Sequence, residues 1–310
     1  IADAIAQAES GLAIDDDTTS LTMDGRSAAE ALTCDLEARH ARSGALSGFA
    51  TGFSKLDALT DGLQLGELFV LAARPSKGKT AFGVNIVSEA CLRHNVPTLF
   101  VTCEMSPVAL MRRLLACHTG TSLSNLKRGT LTEGDIARGT RFNATLNKAP
   151  FWICNAVGDI DVNSLANTIR AHARRYGVKL VVLDYLTLVK PTGQYEKKTY
   201  GIADVCQTLK GSAVSNNVHI FSLAQLNREP DKGEAPRPPR LSDLADSASI
   251  ERFADVVALL HRVPTDEDPH ASKTLLTIAK QRDGETGGIF LEFHGEYGQF
   301  REPEFVRRED

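Results

Sequence analysis

Residues 73–80 read Ala-Arg-Pro-Ser-Lys-Gly-Lys-Thr, a pattern typical of a loop that holds phosphate groups. An apolar run at 68–72 precedes the loop, and a helical pattern at 81–90 follows it. A strand, a tight loop ending in Gly-Lys-Thr and a helix are the context that makes this short motif specific. In such a loop, backbone N–H groups converge on phosphate oxygens at the helix N-terminus. The sequence therefore predicts a nucleotide-binding site here.

Three residues of the loop have separate expected roles. Gly78 lets the backbone approach the phosphates closely, Lys79 reaches the terminal phosphates, and the Thr80 hydroxyl ligates Mg²⁺. The first position of the usual G-x-x-x-x-G-K-S/T pattern is Ala73, so the match is degenerate, although a small side chain is tolerable there. The residues expected to contact the nucleotide are Arg74, Pro75, Ser76, Lys77, Gly78, Lys79, Thr80 and Ala81.

Two carboxylates follow predicted strands. Asp184 ends an apolar run, so it sits at the carboxyl end of a buried strand, the edge where ligands bind in open α/β sheets. There it could hold Mg²⁺ beside Thr80; the alternative is a strand-ending Asp that only caps the next turn. Glu104 follows the strand predicted at 98–102, where it could activate water at the γ-phosphate. Its alternative role is to cap the helix that begins near Pro107.

A neutral amide and two cations also end predicted strands. Gln225 follows the strand predicted at 218–224, where it could sense a γ-phosphate and pass its presence to the next loop, or simply be a polar strand end. Lys280 and Arg282 are two residues apart and therefore share one side of an extended chain. Such a pair can reach a γ-phosphate as an arginine finger, whereas lone surface cations are usually just solvated.

These groups need a sheet that brings their strand ends together. Short apolar runs predict the strands, and helical patterns separate the early ones. Fully apolar strands separated by helices imply a parallel sheet covered by helices on both faces. The last three strands lack long helices between them, which indicates an antiparallel extension at the C-terminal end. The predicted strands are 68–72, 98–102, 151–154, 180–184, 218–224, 255–261, 274–280 and 288–293.

An isolated amphipathic helix is predicted upstream of this sheet, at 27–42. Ala28, Leu32 and Leu36 lie on one stripe of it. A linker-like run rich in Gly and Ser follows the helix. A helix between flexible segments must bury its apolar stripe against its own core or against another chain.

Composition bounds the class of protein. A chain of 310 residues suits one large α/β domain or two smaller ones. A net charge of −4 and a pI near 6.1 exclude a generally basic nucleic-acid binder, but not local basic loops. Six scattered cysteines favour reduced thiols in a cytosolic-type compartment and argue against a structural zinc. No apolar run is long enough for a membrane span, and no signal segment opens the chain. Because it begins with Ile1, we expect a fragment or a processed product.

Together, these segments resemble the C-terminal motor domain of DnaB-type replicative DNA helicases of bacteria and phages, hexameric proteins with a RecA-like P-loop core. The resemblance runs from about Asp24 to Arg301. So many family segments in the right order are highly specific. They are 73–80, Glu104-Met105, Leu183–Leu186, Gln225–Arg228, Ser242–Leu244, Ser249–Glu251, Ala254-Asp255 and Lys280–Gly284.

The resemblance implies a role for each matched residue of the nucleotide site. Lys79 and Thr80 would bind phosphate and Mg²⁺. Glu104 would be the catalytic base, Asp184 the second magnesium ligand, and Gln225 the sensor.

The resemblance also implies contacts between subunits. Lys280 and Arg282 would be fingers supplied to the neighbouring subunit, and Arg113 would lie near the nucleotide. The helix at 27–42 would be the linker helix that docks on the adjacent subunit, which would bury its apolar stripe.

The DNA path departs from the family at one loop. The family's Asp-Leu-Arg-Glu-Ser-Gly reads Asp-Leu-Ala-Asp-Ser-Ala at 243–248, so Ala245 replaces the arginine of a backbone phosphate contact. Lys232, Arg237 and Arg240 are further cations that could compensate. In a ring, even one or two cations per subunit multiply around the channel. The residues expected at the DNA are Lys190, Lys197, Lys198, Arg228 and Asp246.

The sequence thus predicts an ATP- and Mg²⁺-dependent motor of a replicative helicase, which acts as a hexameric ring on single-stranded DNA in the cytoplasm of a bacterium or an infected host. We expect residues 1–52 to be a remnant of the N-terminal region with the linker helix, and 53–310 to form the ATPase domain. Primase and a helicase loader are expected partners. The alternatives are a RecA-type recombinase or clock-type ATPase on the same core, and a nucleotide-gated assembly module with little turnover.

Overall fold

The computed structural model describes most of the chain. The described residues are 24–41, 44–158, 160–193, 195, 198–226, 237–244, 247–264 and 271–303. The predicted N-terminal remnant before residue 24 lies outside them, as do Lys197, Arg228, Lys232, Ala245 and Asp246. Among the described residues, no helix combines the length and apolar character needed to cross a membrane.

A nine-stranded sheet forms the centre of the described structure, with the strand order β3-β2-β4-β5-β1-β6-β7-β8-β9. The strands from β3 to β6 in that order are parallel, and those from β6 to β9 are antiparallel. The strands are β1 Leu68–Ala73, β2 Thr98–Thr102, β3 Phe151–Asn155, β4 Leu180–Asp184, β5 His219–Gln225, β6 Val256–Pro264, β7 Ala271–Gln281, β8 Gly287–His294 and β9 Gln299–Arg301.

Helices connect the parallel strands. One of them, α3, continues directly into a π-helical turn at Ser88–Arg93. The helices are α1 Gly25–Ala41, α2 Ser54–Thr60, α3 Lys79–Val87, α4 Pro107–Thr119, α5 Leu123–Arg128, α6 Glu133–Leu146, α7 Val162–Tyr176, α8 Lys198–Asn216 and α9 Ser247–Phe253.

The sheet has a buried core on each face because side chains alternate along its strands. On β1, Phe69 faces the core that contains Phe82 of α3, while Val70 faces the core that contains Leu165 of α7 and Leu209 of α8. All residues of β1 are buried, as expected for a parallel strand covered on both sides. The predicted α/β fold, with its mostly parallel sheet and antiparallel C-terminal extension, is confirmed.

Two details of the sheet differ from the sequence prediction. The strand predicted at 255–261 was grouped with the antiparallel extension, but β6 also pairs in parallel with β1. The short strand β9 was not predicted, since three residues are too few to show a hydrophobic period. It pairs with β8 and lies beside α3.

The chain divides into two compact units. Of the described residues, those up to Ser47 form one unit and those from Gly48 onward form the other. In the first unit, α1 begins two residues before the predicted helix and ends one residue before its predicted end. Leu32 and Leu36 on its predicted apolar stripe are more than half exposed.

Candidate functional site

The loop between β1 and α3 has the backbone geometry of a tight cradle. Ser76 and Gly78 adopt left-handed conformations, with φ values of 62° and 95°. A Cβ atom at Gly78 would approach the Phe300 ring to 2.9 Å, so glycine is required there for both conformation and space. Ala73 is the buried last residue of β1 and pairs with Gln225 on one side.

Thr80 and Asp184 meet at the carboxyl edge of the sheet. The Thr80 hydroxyl donates to Asp184 Oδ2 at 2.7 Å. Asp184 is 1% exposed, and its Oδ1 has no hydrogen-bond partner among the described residues. Burial raises the pKa of this carboxyl, while the Thr80 hydrogen bond and the Lys79 charge lower it. The 3₁₀ turn that follows β4 has no side-chain cap, so Asp184 does not serve the capping alternative.

Lys79 points into the same region. Its Nζ lies 3.6 Å from the centre of the Tyr185 ring, a distance typical of a cation–π contact. Burial lowers the pKa of the Lys79 ammonium, and the nearby Asp184 and Glu104 carboxylates oppose this shift. The site therefore holds a half-buried cation near two carboxylates.

Glu104 is exposed and is not used as a helix cap. The cap of α4 is Ser106, whose Oγ accepts from the Ala109 N–H at 3.3 Å, with Pro107 in the first helical turn. The structure therefore leaves the Glu104 carboxylate available to a ligand.

One cavity of about 440 Å³ collects most of the predicted residues. It opens at the carboxyl ends of the parallel strands, the edge expected for a ligand site. Lys77 does not line it; its Nζ lies 3.3 Å from the Arg262 carbonyl oxygen. The predicted residues that line the cavity are Arg74, Pro75, Ser76, Gly78, Lys79, Thr80, Ala81, Glu104, Arg113 and Gln225.

Sequence reasoning missed a second wall of this cavity. Arg262, near the end of β6, donates to the Ser76 carbonyl at 3.1 Å and lies 4.6 Å from the centre of the Phe293 ring. Gly295 and Gly298, in the turn between β8 and β9, also line the cavity. Arg262 could have been found as a cation at the carboxyl end of a strand, had β6 been predicted as parallel.

Lys280 and Arg282 lie at the other edge of the sheet. Arg282 Nη1 donates to Asp255 Oδ1 at 3.1 Å, and Lys280 Nζ donates to the Ala254 carbonyl at 2.6 Å. Residue 281 pairs with Val256 at the amino end of β6, whereas the cavity opens at its carboxyl end. The two cations are therefore not brought together with the other predicted catalytic residues of the same chain.

Residues 48–302 match the family model described as the DnaB-like helicase C terminal domain. The chain belongs to this family. It is 35% identical over 272 residues to the replicative DNA helicase DnaB of Leifsonia xyli subsp. xyli, and 37% identical over 270 residues to that of Treponema pallidum. Each match covers 86% of this chain and 58% of the relative, so the chain spans less than two thirds of the length of these DnaB proteins.

Solved structures share the fold. One of them, an ATPase domain, superposes with a TM-score of 0.82 at 28% identity, covering 91% of this chain and all of that domain. The structure of a DnaB-like replicative helicase, reported together with its interactions with primase, superposes with a TM-score of 0.78 at 28% identity. That match covers 89% of this chain and 66% of the other.

The predicted DNA-binding residues of this DnaB-like domain are only partly described. Lys190 is exposed, and its backbone pairs with residues 160 and 162. Lys198 begins α8. Arg237 forms two hydrogen bonds to Asp243, at 2.8 and 2.9 Å, so its guanidinium already serves a contact within the chain. Arg240 is exposed.

Proposed function

We propose that the chain is the ATPase motor of a replicative DNA helicase, which hydrolyses ATP between the subunits of a ring and moves along single-stranded DNA. The observation that carries this proposal is the cavity at the carboxyl edge of the sheet. Residues of the loop, with Lys79, Thr80 and Glu104, line a space large enough for a nucleotide. Asp184 does not line this space itself but is hydrogen-bonded to Thr80, which does. Membership of the DnaB-like family supports a helicase over a recombinase on a similar core.

The buried Asp184 fits a Mg²⁺ ion. Its Oδ1 lacks a hydrogen-bond partner among the described residues, and its Oδ2 lies beside the Thr80 hydroxyl. No group of three or more His, Cys, Asp or Glu in the described part of the chain could hold a metal ion, so the remaining ligands would be phosphate oxygens and water. Mg²⁺ bound there would neutralise charge on the phosphates.

Chain residues would divide the chemistry of hydrolysis. The loop N–H groups and Lys79 would bind the phosphates, and Glu104 would orient water and take its proton. Gln225 ends β5 beside Ala73, and the next residue, Leu226, forms a bridge with Leu244. A contact between Gln225 and a γ-phosphate could therefore be transmitted to Leu244, which lies in the predicted DNA loop at 243–248.

The finger would act on a neighbouring subunit. Arg282 lies at the amino edge of the sheet, and β1 separates the two edges by five residue steps, or roughly 16 Å of extended chain. Arg282 cannot bridge that distance to its own cavity, whereas in a ring it can face the cavity of another copy. The exposed Leu32 and Leu36 of α1 offer an apolar stripe for docking on that copy. Primase and a loader are the further proposed partners.

Unwinding of a forked duplex tests the proposal against its rivals. A helicase should separate the strands only with hydrolysable ATP, and single-stranded DNA should stimulate its steady-state turnover. A recombinase would coat and pair the strand without unwinding the fork, and an assembly module would show negligible turnover with or without DNA. Measuring the particle mass with and without ATP and Mg²⁺ would show whether the chain forms rings.

A further inference from the structure

Asp255 is a buried carboxylate outside the nucleotide cavity, between α9 and β6. It is 4% exposed, yet both of its oxygens are engaged. Oδ2 accepts from the Leu68 N–H at 2.8 Å and from Lys210 Nζ at 2.7 Å. Oδ1 accepts from Arg282 Nη1 at 3.1 Å. One side chain thus joins the first residue of β1, the helix α8 and the proposed finger.

The finger pair is docked on the end of α9. Arg282 donates its backbone N–H to the Asp255 carbonyl at 2.9 Å and its Nη2 to the Arg252 carbonyl at 3.3 Å. Lys280 Nζ donates to the carbonyls of Glu251 and Ala254. Carbonyls at a helix end have no partner within the helix, so cations satisfy them well. The Arg282 side chain is 48% exposed, and its other donors can face a neighbour.

The helix that contacts Asp255 and the helix that contacts the finger residues each begin next to a predicted DNA-binding position. Lys210 lies on α8, which begins at Lys198 directly after position 197. The helix α9 begins directly after position 246. The two helices are in contact, since the Ser249 hydroxyl donates to the Thr199 carbonyl at 3.3 Å. A displacement at either predicted DNA position would therefore reach Asp255 through one helix.

We propose that Asp255 is a positioning residue that ties Arg282 to α8 and α9, so that DNA bound to a subunit sets how that subunit presents its finger to the neighbour's ATP. The inference rests on the proposed function, because it requires Arg282 to act on another subunit. Asp255 could otherwise serve only its own strand β1 through the Leu68 N–H. The two roles differ in which ATP site suffers when Asp255 is changed.

Mixed rings separate these roles. Asp255→Asn keeps a side-chain oxygen that can accept from Leu68 but loses the charge that holds Arg282 and Lys210. Alone, it should bind ATP normally and lose turnover on the order of 10²-fold, since a misplaced group is costly. Mixing it with Lys79→Ala should restore turnover, because the intact loop of the first variant meets the intact finger of the second. Asp57→Asn, which removes another buried carboxylate that accepts from a backbone N–H, is the matched control.

Each result of the mixing experiment distinguishes between the two roles of Asp255. If Arg282→Ala mixed with Lys79→Ala recovers turnover but Asp255→Asn mixed with Lys79→Ala does not, Asp255 serves its own site and the inference is wrong while the proposed function stands. If neither mixture recovers, the shared site fails and the inference falls with it. Full turnover of Asp255→Asn alone, or a loss matched by Asp57→Asn, also overturns the inference.

A second variant tests the link to DNA and covers the case in which Asp255→Asn does not fold. Lys210→Met leaves the Leu68 and Arg282 contacts of Asp255 in place. It removes the ion pair with α8, together with the hydrogen bond from Lys210 to the Gly66 carbonyl. It should lower the ratio of DNA-stimulated to DNA-free turnover toward unity. A purely structural role would lower both turnover rates in proportion and keep the ratio. An unchanged ratio overturns the inference.

Discussion

Asp184 and Asp255 are both buried carboxylates, but they lie at opposite ends of the parallel strands, and their surroundings differ. Asp184 lies at the carboxyl ends, here called the carboxyl edge, and Asp255 at the amino ends, the amino edge. Asp184 is 1% exposed and Asp255 is 4% exposed. Asp184 Oδ1 has no hydrogen-bond partner among the described residues, whereas Asp255 is held by a backbone N–H and two cations. A buried charge without such partners is costly. The carboxyl edge is therefore built to receive a ligand, and the amino edge is already complete within the chain.

This difference assigns different work to the two edges. In the proposed function, the carboxyl edge would supply the groups that bind and hydrolyse a nucleotide. The amino edge supplies Arg282, which is held in place by Asp255 but remains half-exposed. A ring in which one edge of a subunit faces the other edge of its neighbour would complete each site from two chains.

The strongest way to break this comparison is to remove the finger. Arg282→Ala should bind ATP normally, because the cavity of its own chain is intact. Its turnover should fall by roughly 10³–10⁵-fold, the range that an arginine finger supplies. Steady-state turnover and equilibrium ATP binding measure the two effects. Arg93→Ala, which removes another ion-paired and exposed arginine, should change neither. Weakened ATP binding in Arg282→Ala would contradict the assignment of Arg282 to the ATP of a neighbouring subunit.

The next largest effect should come from the carboxyl edge. Glu104→Gln removes the proposed base but no phosphate contact, so ATP should still bind while hydrolysis falls by roughly 10²–10⁴-fold. Lys79→Ala should lose both binding and hydrolysis, since it removes the phosphate-binding cation. Single-turnover hydrolysis beside ATP titrations separates these cases. Normal turnover in Glu104→Gln would show that another group activates water.

DNA binding should depend on positions next to α8. Replacing Lys197 and Lys198 with Ala should weaken single-strand binding for all sequences alike, because phosphate contacts carry no base information. The slope of log K against log salt should flatten by roughly 1.4 if both lysines contact phosphates. Lys127 and Lys148, exposed lysines on and after other helices, provide a matched double-Ala control. An unchanged slope would place the DNA path on other residues.

The smallest effect concerns two titrating groups near the amino edge. Burial raises the pKa of Glu67 to about 7, so its stabilising contribution is lost as pH rises from 4.5 to about 7. Burial lowers the pKa of His219 to about 4, so its contribution is lost as pH falls from 6.5 to about 4. In the intact protein, these two dependences of unfolding free energy on pH have opposite signs.

Glu67→Gln should remove the pH dependence of stability that comes from Glu67 and leave the one that comes from His219. The unfolding free energy of the variant minus that of the parent should be larger at about pH 7.5 than at about pH 5, by on the order of 1 kcal/mol. This value is modest because Glu67 is partly exposed. Urea unfolding at the two pH values measures the change. Glu285→Gln, which removes an exposed carboxylate, is the control. A gain that is equal at both pH values would contradict the assignment.

The sequence was most informative where a polar or charged residue directly follows a predicted strand. Asp184, Glu104 and Gln225 could be placed together because the carboxyl ends of parallel strands share one edge. Arg262 and Phe293 could not, because β6 was not expected beside β1 and the final hairpin has no motif.

The contacts of Asp255 were likewise out of reach of the sequence. Its partners Leu68, Lys210 and Arg282 lie 187, 45 and 27 residues away along the chain. Local patterns do not specify contacts of that separation, whereas they do specify a loop of eight residues such as 73–80.

Mixing Arg282→Ala with Lys79→Ala tests the shared site most directly. Each variant alone should be nearly inactive, one for want of a finger and the other for want of a phosphate-binding lysine. In a mixed ring, an intact loop of the first can meet an intact finger of the second, so turnover should reappear and depend on the mixing ratio. If both variants stay inactive in every mixture, with mixed rings verified by mass, the two edges do not complete one another and the shared-site account is wrong.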